Sequence, residues 1–516
     1  MSSFYVENFG CRATQADGAA IEQQFRAKGL DRAEAPADAD VVVLNTCAVT
    51  AAAEQDARAA VRRIRRQNPD CKVVMTGCYA QRAPNEVAAL AGVSHVIGNS
   101  HKDTLAQIAL ARTSETNISQ IREFIPLSDL EQGATNRPGT AEIFVSDIFA
   151  HTELLAAPVF DSANERTRPN LKIQDGCNNR CSFCIIPSLR GRSRSLLVDD
   201  VLREISQLVV AGYREIVLSG INLGRWGRDL NVERRAPSPV RSSEARPRAI
   251  RFEDLIRAIL AHTSVEKLRI SSVEPMDWSD SLIGLVAESP RIAKHAHVPM
   301  QSGSDTVLRR MHRKYRPWHY REKIEKIRAA MPYAAIGADV MVGFPGETDA
   351  EFEETKRMIE DLPFTYLHVF TFSARPGTPA ATMSNQVPVQ VARERNRILR
   401  ELAAEKKLAF MRSFIGRELQ AITLNIGGED QNGPWTEALT DNYLKMQLRV
   451  RHEANRWLTV QVGSLADGVL VAAVANDSSV VMNPDVKRHV HDGHADMREF
   501  NEYPSSAGAA ELSPAL

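Results

Sequence analysis

Cys177-Asn178-Asn179-Arg180-Cys181-Ser182-Phe183-Cys184 places three thiols within eight residues, in a loop expected to follow a short apolar strand at 171–173. An iron-sulfur cubane is held by cysteine thiolates, normally four, so a three-cysteine loop leaves one iron open to a small molecule. That open position points to catalysis rather than to scaffolding. Structural zinc needs four ligands in a closed shell, and the nearest further candidate in sequence is His151. Cys181 and Cys184 alone also match a C-x-x-C redox pair, an alternative that Cys177, four residues earlier, weighs against.

Working outward from this loop, a βα rhythm repeats six times over 169–405. Strands are expected near Leu171 and at 215–218, 267–270, 295–298, 336–342 and 366–370. The helical stretch 198–209 carries Val198, Val201, Leu202, Ile205 and Leu208 on one apolar face at 3.6-residue spacing. Six such units fit an open, partial (β/α)6 barrel, with the chemistry in loops at the strand C-termini. Those loops hold Ser219-Gly220, Glu274, Gln301-Ser302, Gly343-Phe344-Pro345-Gly346-Glu347-Thr348 and Arg375-Pro376-Gly377-Thr378-Pro379. Each taken singly is also ordinary turn composition.

Upstream, residues 1–112 alternate strand and helix: strands at 4–6, 41–44, 72–75 and 95–97, helices at 16–27, 52–66 and 85–90. The pattern implies an open α/β domain. Cys11, Cys47 and Cys78 fall just past the first three strands, at the sheet edge where ligands bind in such folds. Three ordinary buried cysteines are the alternative. Cys71, at the start of its strand, matches no ligand position. Residues 113–168 read as a linker with a short strand around 143–145. After a helix at 391–414, five short strands over 413–475 suggest a small β-barrel, an architecture often used for nucleic acid. The tail, 476–516, is polar, and its His489, His491 and His494 are spaced as if to bind metal, with a flexible terminus as the preferred reading.

The chain has 516 residues, 43% hydrophobic and 25% charged, with Lys+Arg and Asp+Glu both at 64. A balanced charge argues against binding nucleic acid by overall field, while local basic patches stay available. Candidate phosphate contacts are the run Arg309-Arg310-Met311-His312-Arg313-Lys314-Tyr315-Arg316 and the trio Arg190, Arg192 and Arg194; an insert at 228–251 holding Arg234, Arg235, Arg241, Arg246 and Arg248 among Pro and Ser reads as a disordered surface loop, its charge explained by solvation as well as by phosphate affinity. Seven cysteines are too few for a disulfide scaffold. No apolar run of 18 residues or secretory signal is visible, so a cytoplasmic protein without membrane contact is expected.

C-x3-C-x2-C after a first strand resembles the signature of radical S-adenosylmethionine enzymes. The words Asn45-Thr46-Cys47-Ala48-Val49-Thr50 and Thr76-Gly77-Cys78-Tyr79-Ala80-Gln81 resemble the N-terminal module of methylthiotransferases, and the 413–475 segment is similar to their TRAM domain. The resemblance implies two [4Fe-4S] clusters, one on Cys177, Cys181 and Cys184 and an auxiliary one on Cys11, Cys47 and Cys78. It further implies S-adenosylmethionine as cofactor, held with help from Ser219, Gly220, Glu274, Gln301 and Ser302, and a tRNA substrate. A reductant and a sulfur donor are implied as partners. In that family the barrel cluster reduces the cofactor to a 5'-deoxyadenosyl radical that removes hydrogen from a C–H bond, and the auxiliary cluster supplies sulfur.

Thr50 and the Arg375-to-Pro379 word look more like the branch that acts at C2 of N6-threonylcarbamoyladenosine beside the anticodon. One departure is Thr14, where the family commonly has Asn, which bears on a contact to the first cluster. Isopentenyladenosine in tRNA and a ribosomal-protein aspartate are the alternative substrates. A metal-containing RNA-binding protein without catalysis is the alternative outside enzymes.

Overall fold

The computed structural model describes residues 2–49, 51–111, 141–151, 154, 167–230, 249–431 and 433–475. Thr50, the five insert arginines named above and the three tail histidines lie outside them. Strands are numbered in chain order. The N-terminal sheet contains β1 (Ser3–Asn8), β2 (Asp31–Arg32), β3 (Val41–Thr46), β4 (Lys72–Gly77), β5 (Val93–Ile97) and β6 (Glu142–Phe144), parallel and in the order β2-β1-β3-β4-β5-β6. The run Val41–Thr46 is buried throughout, as a β-branched strand covered on both faces should be. Helices Arg12–Ala27 and Ala51–Gln67 flank the sheet. The short strand expected inside the linker is β6, and it completes this sheet by pairing with β5.

The central domain follows with β7 (Asn170–Asp175), β8 (Arg194–Ser195), β9 (Glu215–Gly220), β10 (Lys267–Ile270), β11 (His295–His297), β12 (Ala335–Val342) and β13 (Tyr366–Thr371). Strands β7, β9 and β10 are parallel neighbours, as are β11, β12 and β13. The two groups meet through single bridges, Leu268 to Ile292 and Ser272 to His297. Six parallel strands thus run in chain order, as the βα rhythm predicts, with β8 turning back antiparallel on β7 at one edge.

Side chains alternate across each strand. Leu171, Ile173, Ile216, Leu218, Ala296, Ile336, Ala338 and Val340 pack outward with Val201, Ile205 and Leu208 of helix Val198–Val210 in one continuous core. The opposite register faces the lumen and is polar: Lys172, Gln174, Arg269, His295, His297 and Asp339 are all buried.

The C-terminal strands β14 (Glu418–Asp430), β15 (Gly433–Thr440), β16 (Lys445–Arg449), β17 (Trp457–Ala466) and β18 (Val469–Val474) close into a barrel ordered β14-β15-β16-β18-β17. Helix Val389–Arg412 joins the two barrels, with Leu399 in the large core and Met411 in the small one. The small barrel plugs the floor of the large one. The Arg269 guanidinium donates to Thr440 O at 3.1 Å and Asp441 O at 3.2 Å, and Tyr443 stacks on His295 with centroids 4.5 Å apart. Among the described residues no helix is long and apolar enough to cross a membrane.

The N-terminal domain docks on the open side of the large barrel through buried charge. Asp17, on helix Arg12–Ala27, pairs with Lys102 Nζ at 2.9 Å, with Arg190 Nη2 at 2.9 Å and with Lys172. Lys172 also reaches Asp175 at 3.0 Å, and Arg190 chelates both Asp175 oxygens at 3.0 Å. Burial acts to raise the Asp17 carboxyl, but Arg190, Lys102 and Lys172 overcome it and hold the group well below the usual carboxylate range. Asp175 is likewise pulled down against its burial by Arg190 and Lys172.

Two expectations follow. Arg269→Met removes the main partner of fully buried Glu215, leaving Arg168 at 3.5 Å; unfolding in urea should show a loss of about 3 kcal/mol, and protease should cut sooner at 413–417. Because both carboxyls are depressed in the folded chain, their contribution is full at neutral pH, begins to be lost only as pH falls below about 4, and goes on being lost well below that as the folded-state groups titrate. Urea midpoints taken from pH 7 down to about pH 2 should therefore hold to about pH 4 and then drop for the wild type, and drop less for Asp17→Asn, which starts lower.

Candidate functional site

Strands β1, β3 and β4 are sheet neighbours, so the turns after them abut, and Cys11, Cys47 and Cys78 begin those turns. Gly10 adopts φ 110°, and a Cβ there would lie 2.6 Å from Cys47 Cβ; Gly77, at φ 93°, would meet Thr46 O at 2.3 Å. Only glycine allows such approach, which draws the three thiols onto one rim. Burial pushes the Cys47 thiol up to about 12, and the neighbouring Cys11 and Cys78 sulfurs push the same way. Each sulfur also meets a polar group. Val49 N donates to Cys47 Sγ at 3.4 Å, Asn99 Nδ2 to Cys78 Sγ at 3.7 Å, and Thr14 Oγ1 lies 3.6 Å from Cys11 Sγ. Thr14 thus contacts the first thiol itself. Cys71 is buried among Val42, Ile64 and Val73, away from this rim.

The barrel trio sits at the C-terminal end of β7. Gly176 at φ 70° has no room for a Cβ, which would fall 2.0 Å from Arg192 O. Asn179 N and Asn222 Nδ2 donate to Cys177 Sγ at 3.4 and 3.6 Å, and Arg313 Nη1 donates to Cys181 Sγ at 3.3 Å. Burial raises the Cys184 thiol to about 12, with Cys181 and then Cys177 adding to it. The loop is buckled in place by Ser182, whose N and Oγ bond Met311 O at 3.1 Å and Arg310 O at 2.7 Å.

The two trios are tied together. Asn99 Nδ2 bonds Leu189 O at 2.8 Å, in the helix Ile186–Arg190 that follows Cys184, while also reaching Cys78 Sγ. Arg375, in the loop after β13, donates to Ala48 O at 3.2 Å and to Glu54 at 3.1 Å, clasping the Cys47 turn from the barrel side. Three buried cations, Lys102, Lys172 and Arg190, face only two carboxylates, Asp17 and Asp175. The surplus positive charge lies where Cys78 and Cys11 act favourably on Arg190. Thiolates at Cys11 and Cys78 would balance it, and the N–H groups aimed at the Cys177 and Cys181 sulfurs suit thiolates as well; among the described residues no group of three or more His, Cys, Asp or Glu is placed to hold a single metal ion.

The expected cofactor contacts divide into groups with free polar atoms and groups already engaged. Ser219 Oγ and Gln301 Oε1 are buried without a hydrogen-bond partner among the described residues. Gln301 holds a left-handed φ of 63°, its backbone pinned to β12 by bonds of 2.8 Å to Asp339 O and from Met341 N. Such strain in a non-glycine residue is typical of ligand sites. Gly220 packs on Gln174. Glu274 pairs with Arg313, and the Ser302 hydroxyl is engaged by Thr355 Oγ1 at 3.1 Å and Ser304 N at 3.1 Å.

The basic runs behave differently from the phosphate contacts expected of them. Arg190 and Arg313 are buried and committed to carboxylates. Arg194 donates to His151 O, Arg310 pairs with Glu351, and Arg309 and Arg316 pair with Asp305. Arg192, His312 and Lys314 remain exposed. Sequence reading missed Asn99, Asn222 and Arg375 as groups touching or holding the cysteine turns. Their position just past β5, β9 and β13 was the available signal.

Comparison with known proteins agrees with this geometry. Residues 3–98 match the family described as "Uncharacterized protein family UPF0004" and residues 171–359 the Radical SAM superfamily. The chain is 36% identical to the threonylcarbamoyladenosine tRNA methylthiotransferase MtaB of Bacillus subtilis, over 86% of this chain and 90% of that one. It is 31% identical to its counterpart in Aquifex aeolicus, over 88% and 99%. A tRNA-2-methylthio-N(6)-dimethylallyladenosine synthase of Thermobifida fusca is 32% identical over 81% of this chain and 77% of its own. In fold it is similar to the radical S-adenosylmethionine methyltransferase TsrM of Kitasatospora setae, with TM-score 0.52 and 15% identity over 74% of this chain and 77% of that one. S-adenosylmethionine and two [4Fe-4S] clusters are the cofactors these family matches imply. With that likeness spread over most of both chains, this protein belongs to the radical SAM tRNA methylthiotransferase family.

Proposed function

We propose that this enzyme adds a methylthio group to C2 of N6-threonylcarbamoyladenosine next to the tRNA anticodon. The observation that supports it most is the joining of two three-thiol sites across one buried interface, beside the mouth of a polar barrel. The substrate assignment leans on the relatives named for threonylcarbamoyladenosine, at 31% and 36% identity. A relative named for dimethylallyladenosine, at 32%, is the reason the assignment needs a test.

In this reading Cys177, Cys181 and Cys184 hold the cluster that works with S-adenosylmethionine, while Cys11, Cys47 and Cys78 hold the auxiliary one. When bound, these groups would supply the radical chemistry that takes hydrogen from C2 and the sulfur that replaces it, and a second S-adenosylmethionine would supply the methyl group. The chain's own part is positioning. Arg313 and Asn222 direct N–H groups at the Cys181 and Cys177 sulfurs, and Asn99 does the same for Cys78. Ser219, Gly220, Glu274, Gln301 and Ser302 are assigned to the cofactor in the same reading. The Asp17 network and the Arg375 clasp keep the two cysteine sites in register, so that radical and sulfur meet at one carbon. A reductant and a sulfur donor complete the turnover. Residues 1–112, with β6 from the following segment, and 169–405 form the two cluster-bearing units, and 413–475 form a nucleic-acid-binding barrel of TRAM type.

Anaerobically reconstituted protein should hold about eight irons per chain, four for each cubane. Cys181→Ala should abolish reductive cleavage of S-adenosylmethionine, whereas Cys47→Ala should retain cleavage and lose thiolation, read by mass spectrometry of tRNA nucleosides. Normal cleavage by both variants would show that the labour is not divided this way. Unchanged methylthio-threonylcarbamoyladenosine in cells lacking the gene would contradict the substrate.

A further inference from the structure

The lumen of the large barrel sets hydrogen-bonding edges among aromatic faces. Ala338 and Val340 belong to the outer core, so Asp339 between them points inward from β12. It is fully buried, and neither of its carboxyl oxygens has a hydrogen-bond partner among the described residues. His297 of β11 stands beside it, with Nε2 3.4 Å from Asp339 Oδ1 and in no hydrogen bond among the described residues. Ser272 Oγ, 2.7 Å from His297 Nδ1, fixes that ring. His368 and Tyr366 stand around it, their centroids 5.5 and 5.8 Å from that of His297. Tyr443 of the small barrel stacks on Tyr366 from beneath, with centroids 5.5 Å apart.

Elsewhere the fold compensates its buried acids. Asp17, Asp175, Glu215 and Glu274 are each met by a cation at bonding distance, whereas Asp339 has only the imidazole edge. A buried polar atom without a partner destabilises a fold, so this pair is better suited to a ligand than to structure. When the Ser272 hydroxyl donates to His297 Nδ1, the ring proton sits on Nε2, and the lumen then presents an acceptor and a donor side by side. An N6-substituted adenine offers the complement on its Watson–Crick edge, the remaining N6–H and the N1 lone pair. Enzymes that act on a nucleobase draw it from its stack into a pocket and read that edge by hydrogen bonds, with aromatic side chains against its faces. Asp339 lies three residues before Val342, the last of β12, and so about 10 Å from the C-terminal strand ends at which the cysteine loop begins.

We propose that the lumen takes the base of the target adenosine and that Asp339 is a substrate-binding residue, accepting the N6–H while His297 donates to N1. C2 is bonded to N1, so holding this edge fixes the direction in which C2 points. The contact does not choose between substituents, because N6-threonylcarbamoyl and N6-isopentenyl adenosines each keep one N6–H. This role rests on the reading of an N6-substituted tRNA adenosine as substrate and adds the group that orients it.

The test uses full-length reconstituted protein and anticodon stem-loops carrying N6-threonylcarbamoyladenosine or N6-isopentenyladenosine, each also in a form whose N6–H is replaced by N6–CH3. Which N–H loop the wild type thiolates tests the substrate: the isopentenyl loop alone overturns the threonylcarbamoyl reading and leaves its own pair to judge Asp339, and neither loop overturns both. For the loop that is thiolated, dissociation constants of the N–H and N–CH3 forms are measured for wild type, Asp339→Asn and Asp339→Leu. Wild type should favour the N–H form by about 10- to 100-fold. Asp339→Leu should lose that preference, and Asp339→Asn, which keeps one acceptor oxygen, should retain part of it. Any effect of the methyl group on the loop itself is common to all three proteins and cancels. Melting temperatures of the free variants should not fall, because the carboxyl has no hydrogen-bond partner in the fold; a fall in both would make Asp339 a structural partner of His297 and overturn the inference. A preference absent from wild type, or undiminished in Asp339→Leu, overturns it as well. So does a loss of S-adenosylmethionine affinity equal to the loss of stem-loop affinity, which would assign Asp339 to the cofactor.

Discussion

The position of every reactive group in this molecule depends on one carboxylate, Asp17, shared among Lys102 of its own domain and Lys172 and Arg190 of the barrel. Burying a lone carboxylate is prohibitive, and burying three cations without it is worse. The two domains therefore have one docked arrangement in which these charges are compensated. A buried ion network adds little net stability compared with an apolar contact of the same size. What it adds is geometry, because hydrogen-bonded charges do not slide. Arg190 lies in the helix after Cys184, Asp175 two residues before Cys177, and Asp17 in the helix after Cys11. Fixing the charges fixes both sulfur sites relative to each other.

The same logic recurs at lower cost elsewhere. Asn99 carries its amide to Cys78 and to Leu189 O at once, and Arg375 spans from the last barrel loop to Ala48 O and Glu54. Neither group is near a cysteine in sequence. Both act on the turn that presents one, and hydrogen bonds aimed at a thiolate sulfur tune as well as orient it.

Local pattern made the elements legible. Strand 267–270 is found where period and composition put it, and all six cysteines fall at strand ends because a parallel sheet places its loops there. Charge was not legible in the same way. Arg190 and Arg313 read as surface cations because a sequence shows a charge without showing its depth. Their partners are far off along the chain: Asp17 is 173 residues from Arg190, and Glu274 is 39 from Arg313. The strand β6 was visible as a strand but not as a member of the first sheet, since pairing with β5 spans a segment whose length carries no register. The polar lumen was present as a period-two alternation. It is not legible there because a polar residue facing a lumen has the same period-two position as one facing solvent.

That half-polar barrel has an energetic meaning. A sheet whose outward register forms a continuous apolar core can tolerate an inward register with unpaired atoms such as Asp339 Oδ2, Gln301 Oε1 and Ser219 Oγ. The outer core stabilises the fold, and the inner one is free to be wrong for folding and right for a ligand. The small barrel makes this arrangement possible by sealing the floor with Tyr443 and by taking two Arg269 hydrogen bonds on Thr440 O and Asp441 O. Tyr443 and Tyr366 thus cover the lumen at that end. The small β-barrel therefore shapes the lumen as well as standing beside it, since a group that enters a closed-floored lumen meets charges made stronger by the removal of water.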